Sequence, residues 1–373
     1  MKPILSSFIT FAALLLCLTL TTHAQQQAPP PPPPARPTPT PPTLNTTTDG
    51  QEIDDGATIE FNTSLINLQV RVIDRQNRPI NDVRKEDFRI FEDGQPQNIE
   101  FFSTEEVPIS YGIVVDNSGS LRQQLDKVIV AGRTIVESNK QGDETFLIRF
   151  TDSSRINLDQ EWTSDKTILQ EKLDDLFPDS GQTAVYDAVN LAAEYATERR
   201  KGEDPNDRRR RALVIVTDGE ERNSVTTEKE LFARLRESDV QIFIIGFTND
   251  LDDQDSGIIK KSTRSKATNL INKLATETGG RAFFPTSVNE LPAIAEQITR
   301  DLRTQFIVSY NPTNKRRDGT FRRVRVALAD DSAKGKRIAI TRPGYTAPND
   351  TAASSPATGQ RPRTTLTPAK TNN

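Results

Sequence analysis

Two four-residue runs, Leu213-Val214-Ile215-Val216 and Ile242-Phe243-Ile244-Ile245, are apolar at every position. A strand with one wet face alternates apolar and polar residues, so continuous runs of this kind mark strands covered on both faces, as in a parallel sheet sheathed by helices. Residues 109–304 keep to that arrangement. Short apolar runs at 110–115, 145–150, 212–216, 240–247 and 281–284 alternate with longer stretches of helical periodicity at 121–138, 166–176, 184–199, 228–238, 265–278 and 289–302. The last stretch shows Leu291, Ile294, Ala295, Ile298 and Leu302 on one helical face, and Gly279-Gly280 fits a helix stop before the final strand. Residues 156–162 add an edge strand through a hairpin at Thr151-Asp152-Ser153-Ser154. The expected fold class is α/β, a Rossmann-like doubly wound, mostly parallel sheet.

In such sheets ligands bind beyond the carboxyl ends of the strands, where the strand order reverses. Asp116-Asn117-Ser118-Gly119-Ser120 begins where the first strand stops, Asp218-Gly219 follows another, and Thr183 lies in a loop directly before a helix. Three segments far apart in the chain are thus expected on one rim. Their side chains, two carboxylates and three hydroxyls, form a set of hard oxygen donors suited to Mg²⁺. Asp and Ser are also favoured as helix caps. Capping, however, asks neither for a glycine-flanked Thr183 nor for two aspartates at strand ends.

With these residues in order, the chain resembles the von Willebrand factor type A domain family, whose metal-ion-dependent adhesion site reads Asp-x-Ser-x-Ser, then Thr, then Asp. Asp116, Ser118, Ser120, Thr183 and Asp218 match. Gly181-Gln182-Thr183-Ala184-Val185-Tyr186-Asp187-Ala188 is similar to the family's threonine loop, and Thr276-Glu277-Thr278-Gly279-Gly280 precedes the last strand as it does there. The resemblance implies that Ser118, Ser120 and Thr183 contact a cation through hydroxyls. Asp116 and Asp218 would act directly or through water. It further implies Mg²⁺, with Mn²⁺ or Ca²⁺ as alternatives, and an open position for an Asp or Glu carboxylate of a protein partner. Gln182 departs from the pattern, which has a second glycine there; the change narrows access and removes no ligand. Direct ligand roles for Asp187 and Glu220 are less expected than solvation or a salt bridge.

The flanks resemble a secreted bacterial branch of that family, the VWFA-related proteins of acidobacterial type. Leu68, Val70 and Val72 alternate with Gln69 and Arg71, and residues 88–91 lead into the turn Glu92-Asp93-Gly94, which is strand and hairpin patterning. Residues 306–310, 324–328 and 338–340 are strand-like too. Neither flank has many strands alone, so residues 58–108 and 305–346 are expected to pair into a small β-sandwich, with the type A domain at 109–304 inserted between them.

Lys2, the apolar stretch 8–20 and Thr22-His23-Ala24 read as a secretory signal, residues 1–24, cleaved after Ala24. The apolar stretch is shorter than the ~20 residues of a spanning helix, and no second one is long enough. Export to the periplasm, cell surface or medium is the expectation. The only cysteine, Cys17, and the only histidine, His23, fall inside the removed segment. The mature chain would then have no disulfide, no Ser-His-Asp triad and no His- or Cys-ligated zinc. Residues 25–57 form a linker whose proline tract at 29–42 runs as polyproline II, a stiff spacer of roughly 40 Å at about 3.1 Å per residue. The Thr-, Pro-, Ala- and Ser-rich tail at 347–373 is expected to be disordered.

Net charge is −4, which gives no general attraction to nucleic acid or acidic lipid. The basic stretches Arg208-Arg209-Arg210-Arg211 and Lys260-Lys261 read as solvated surface loops, because Glu203, Asp204 and Asp207 neighbour the first and no aromatics are interleaved. The acids of residues 250–255 lack EF-hand spacing and read as an exposed insertion. The function expected is metal-dependent adhesion or scaffolding rather than catalysis. Two alternatives are a metal-dependent hydrolase, in which only Asp, Glu, Lys or Tyr could act as general base, and a degenerate domain kept for its fold.

Overall fold

The computed structural model describes residues 65–179, 181–199, 209–249, 251, 262–329, 337–349 and 367–368. The signal segment, the proline spacer, Arg208, Lys260-Lys261, the acids at 250 and 252–255 and most of the C-terminal tail lie outside those residues. The first strands are β1 (Ile66–Ile73), β2 (Phe88–Glu92), β3 (Gln95–Gln97), β4 (Ile99–Ser103) and β5 (Ile109–Asp116). Then come α1 (Leu125–Glu137), β6 (Glu144–Phe150), β7 (Ile156–Thr163), α2 (Lys166–Asp174) and α3 (Val185–Glu198). They are followed by β8 (Arg210–Thr217), α4 (Glu228–Glu237), β9 (Gln241–Gly246), α5 (Thr263–Thr278), β10 (Arg281–Phe283) and α6 (Leu291–Arg303). The last strands are β11 (Phe306–Tyr310), β12 (Phe321–Leu328), β13 (Ile338–Ile340), β14 (Gly344–Thr346) and β15 (Thr367–Pro368).

The central sheet has the order β10-β9-β8-β5-β6-β7-β15. It is parallel from β10 to β6, and β7 turns back antiparallel to β6. β5 and β9 are buried at every position and β8 at every position but Arg211, so helices cover both faces and leave no alternation to read. This is the α/β, mostly parallel sheet expected from the apolar runs. From β5 the chain moves outward to β6 and β7, then returns to the other side of β5 as β8. Strand order therefore reverses between β5 and β8.

Local chemistry sets the helix ends. Thr227 caps α4 through a capping box with Glu230, and the Asp165 side chain caps α2 by accepting from the Thr167 and Ile168 N–H groups. Gly279 ends α5 in the left-handed region at φ 75. α1 begins at Leu125 rather than at 121. Gly119–Leu121 is instead a tight 3₁₀ turn, because the preceding loop folds back on Asp116.

Two antiparallel sheets flank this domain, in the orders β13-β1-β11-β4 and β14-β12-β2-β3. Each mixes strands from before and after the central domain: β1 pairs with β11 and β13, and β2 pairs with β12. Their facing sides share one core of Leu68, Val70, Phe88, Ile90, Val308 and Val324 with its neighbours. The turn from β2 to β3 places Asp93 at φ 48 and Gly94 at φ 83. Positive φ at both central residues is the type I′ hairpin that Asp-Gly favours.

Two expectations need correcting. The tail does not lose order at Ala347: that residue is buried, its N–H donates to the Thr320 carbonyl, Asn349 bridges to Asp318, and Thr367–Pro368 pairs parallel with Asn157 and Leu158 of β7. Nor is the basic run entering β8 a solvated loop. Arg210 is 1% exposed and donates to the carbonyls of Leu302, Arg303 and Gln305 at 2.9–3.1 Å, so it anchors the end of α6. Arg209 faces Glu144 and Arg211 faces Asp239. The positive charges were legible in sequence; their carbonyl and carboxylate partners are supplied only by the fold.

Candidate metal centre

Parallel register between β5 and β8 pairs Val115 with Val216, so Asp116 stands opposite Thr217, with Asp218 next in line. Both aspartates are buried, at 0% and 2% exposure. Asp116 accepts the Ser118 N–H at 3.0 Å on Oδ1 and the Thr217 hydroxyl at 2.7 Å on Oδ2. Asp218 accepts the Glu220 N–H at 2.9 Å on Oδ1, while its Oδ2 is buried with no hydrogen-bond partner. Neither aspartate caps a helix; each closes a short turn two residues ahead of itself. Ser118 and Ser120 hold their hydroxyls 2.9 Å apart.

Thr183 is buried and enters the rim through its backbone. Its carbonyl accepts the Arg222 and Asn223 N–H groups at 3.0 and 3.3 Å, which joins its loop to the one that follows Asp218. The Asp179 N–H donates to the Asn117 carbonyl at 3.0 Å, joining the same loop to the one after β5. Backbone bonds thus bring all three segments together.

The electrostatics at this rim are unbalanced. Burial, then the nearby Asp218 charge, pushes the Asp116 carboxyl up to about 7. Asp218 is raised as well, chiefly by burial, with the Ser120 hydroxyl and the Glu220 N–H offsetting part of it. Arg222 spends its charge on Glu220 at 2.5 Å. Two buried carboxylates with one bare oxygen cost free energy unless a proton or a cation joins them. Among the described residues no group of three or more His, Cys, Asp or Glu converges, so the donors gathered here are carboxylates and hydroxyls. An all-oxygen set of this kind fits a hard divalent cation.

Several residues that support the rim were not anticipated. Thr217 fixes the Asp116 carboxylate and accepts the Gly219 N–H at 2.9 Å. Glu221 accepts the Tyr186 N–H at the start of α3, the Ser224 N–H and the Ser224 hydroxyl. Asp187 is neither solvated nor in a salt bridge; it is buried and accepts the Val225 and Thr226 N–H groups at 2.7 and 2.8 Å. Glu220 does form a salt bridge, to Arg222. Asn117 is buried with both ends of its amide unpartnered. A threonine beside a motif aspartate is the one such signal the sequence offered, whereas the Asp187 and Glu221 clamps span 35–39 residues.

The family model for the von Willebrand factor type A domain matches residues 112–297. That stretch is a von Willebrand factor type A domain. Solved structures similar to the chain include an aerotolerance-related membrane protein from Bacteroides fragilis NCTC 9343, 20% identical, covering 52% of this chain and 98% of the other with a TM-score of 0.37. Another is proximal thread matrix protein 1 from the mussel byssus with a zinc-occupied MIDAS motif, 20% identical over 57% of this chain and 49% of the other, TM-score 0.39. A third is the von Willebrand factor type A protein from Catenulispora acidiphila, 11% identical over 79% and 76%, TM-score 0.41. No curated protein matches the chain. In the type A domain described here, the rim lies at the β5/β8 reversal. Among the described residues no helix is long and apolar enough to cross a membrane.

Proposed function

We propose that Asp116, Ser118, Ser120, Thr183 and Asp218 hold a divalent cation, Mg²⁺ by preference, and that the chain uses it to bind a protein partner through an Asp or Glu carboxylate. One observation carries the reading: two carboxylates buried at a strand-order reversal, one with an oxygen that has no partner. Bound there, Mg²⁺ would supply positive charge and a coordination position open to the partner's carboxylate. The chain's own part is to keep the donors in place. Thr217 orients Asp116, and Asp187 with Glu221 fixes the loop after Asp218 against α3. The neutral hydroxyls of Ser118, Ser120 and Thr183 leave the cation more electrophilic than further carboxylates would.

In this reading residues 1–24 are an export signal and 25–57 a stiff spacer. The exported chain acts in adhesion or scaffolding, within the secreted bacterial branch that carries flanking β segments. The reading is tested by calorimetric titration of the chelated mature chain with Mg²⁺, Mn²⁺ and Ca²⁺, and by capture of partners from the native envelope and medium with and without chelator. Asp116→Ala should abolish cation binding and capture while leaving the circular dichroism spectrum intact. Capture that ignores chelator would sink the mechanism. Metal-dependent turnover of a substrate panel would favour the hydrolase, and no cation binding at all would favour a domain kept for its fold.

A further inference from the structure

One face of the sandwich presents a row of exposed cations. Its exposed cations are Arg323 and Arg325 of β12, Arg89 of β2 and Lys315 and Arg316 of the preceding loop, and the Asp93 carboxylate, which accepts the Arg323 N–H at 2.9 Å, stands at their edge, in a chain whose net charge is −4. β12 alternates strictly over its first six positions, so Phe321, Arg323 and Arg325 are exposed while Arg322, Val324 and Val326 are buried. On the neighbouring β2, Phe91 pairs with Arg325 and the exposed Arg89 pairs with Ala327. The inward Arg322 donates to the Asn314 and Arg316 carbonyls, which fixes the loop bearing exposed Lys315 and Arg316 ahead of β12.

Lys315, Arg316, Arg323, Arg325 and Arg89 form no ion pair with any described carboxylate. Arg323 and Arg325 are two residues apart on one strand, roughly 6.5–7 Å along it. The cations therefore make a track along β12 rather than a round patch, and a track suits a linear polyanion. Base stacking needs an open aromatic face. Here the Arg325 guanidinium lies 4.1 Å from the Phe91 ring centre, and Arg236 lies 5.0 Å from that of Phe321. A lipid surface would favour apolar groups projecting beyond the charges; Phe91 is half-buried between them, and the exposed Phe321 stands alone at the end of the row with the Arg236 guanidinium over its ring. Charge, not stacking or insertion, is what this face offers.

The geometry points to the outer face of β12 and β2 as a docking surface for a linear acidic polysaccharide, whose carboxylates or sulfates pair with guanidinium groups in the bidentate manner that arginine favours. Such a contact would hold the chain to a matrix while the type A rim stays free.

The test uses the mature full chain in chelator, so that the rim plays no part, with immobilised heparin and polygalacturonate as probes. The chain should be retained at low salt despite its pI of about 5.4, and released as salt rises. Arg323→Glu with Arg325→Glu should weaken retention at least ~tenfold at low ionic strength. Lysine at both positions should keep most of it, and Arg78→Glu, away from the track, should change nothing. Should the double variant unfold on heating below the parent, Arg89→Glu replaces it with the same expected direction. No retention by the parent, or identical retention by the glutamate variants, overturns the inference. So does tighter binding to a single-stranded oligonucleotide or to phosphatidylglycerol vesicles than to both polysaccharides.

Discussion

The two ends of the central sheet both bury charge and treat it differently. At the amino ends the buried arginines have their terminal nitrogens partnered, with only each Nε left over: Arg210 holds three carbonyls at the end of α6. Arg71 of β1 pairs with Asp301 of α6 and donates to the Gly280 carbonyl. At the carboxyl ends the buried groups are Asp116 and Asp218, which repel each other and leave one oxygen bare. A satisfied buried charge fixes structure, because removing a partner strands the other. An unsatisfied one marks a place where a ligand is worth more than packing. The amino end therefore joins α6 to the sandwich, and the carboxyl end is where binding is expected.

The contrast can be broken most sharply at Arg210. Burial pulls its guanidinium down to about 10, and Arg210→Met would leave three carbonyls without their donor. A loss of about 3–5 kcal/mol is expected by urea unfolding, with rim chemistry unchanged in whatever folds. A loss below ~1 kcal/mol would show that the amino end is not an anchor.

At the other end, Asp187→Ala frees the Val225 and Thr226 N–H groups and loosens the loop after Asp218. Cation affinity by titration should fall roughly 10- to 100-fold, as is usual when a residue orienting a site is lost, while Tm in chelator drops by only a few degrees. Equal losses in affinity and stability would blur the two roles.

Asp218→Asn should do the reverse of Arg210→Met when cation is absent. Removing one of two buried like charges should raise stability in chelator by about 1–2 kcal/mol, and the same variant should gain nothing from added Mg²⁺.

The smallest effect is a pH slope. With Asp116 raised from 3.8 to about 7 in the fold, the folded chain binds more protons than the unfolded one between those values. The contribution of Asp116 to stability in chelator is then fully present below about pH 4 and is lost as pH rises through 7. Asp116→Asn should flatten that part of the profile, and a slope that persists in the variant would assign it to other groups.

The central sheet was legible because full burial on both faces leaves an uninterrupted apolar run, as in β8 and β9, that few other elements produce. The rim was legible because motif residues sit at strand ends, and parallel strands bring such ends together. The start of α1 was misread for the same local reason that made the motif visible: turn-forming oxygens compete with helix for the backbone. Arg210 was misread because four arginines in a row look alike until the fold buries one of them.

Periodicity by itself determined a doubly wound sheet, and strand-end placement with the resemblance to the type A motif marked Asp116, Ser118, Ser120, Thr183 and Asp218 as one expected set of oxygen donors. Only the tertiary structure decided which charges are satisfied. Whether a carboxylate meets a backbone N–H, a guanidinium or nothing depends on contacts such as Asp187 to Thr226 or Arg71 to Asp301, which join segments 39 and 230 residues apart. Local sequence carries no record of such partners, because burial and hydrogen bonding are properties of the packed chain and not of the residue.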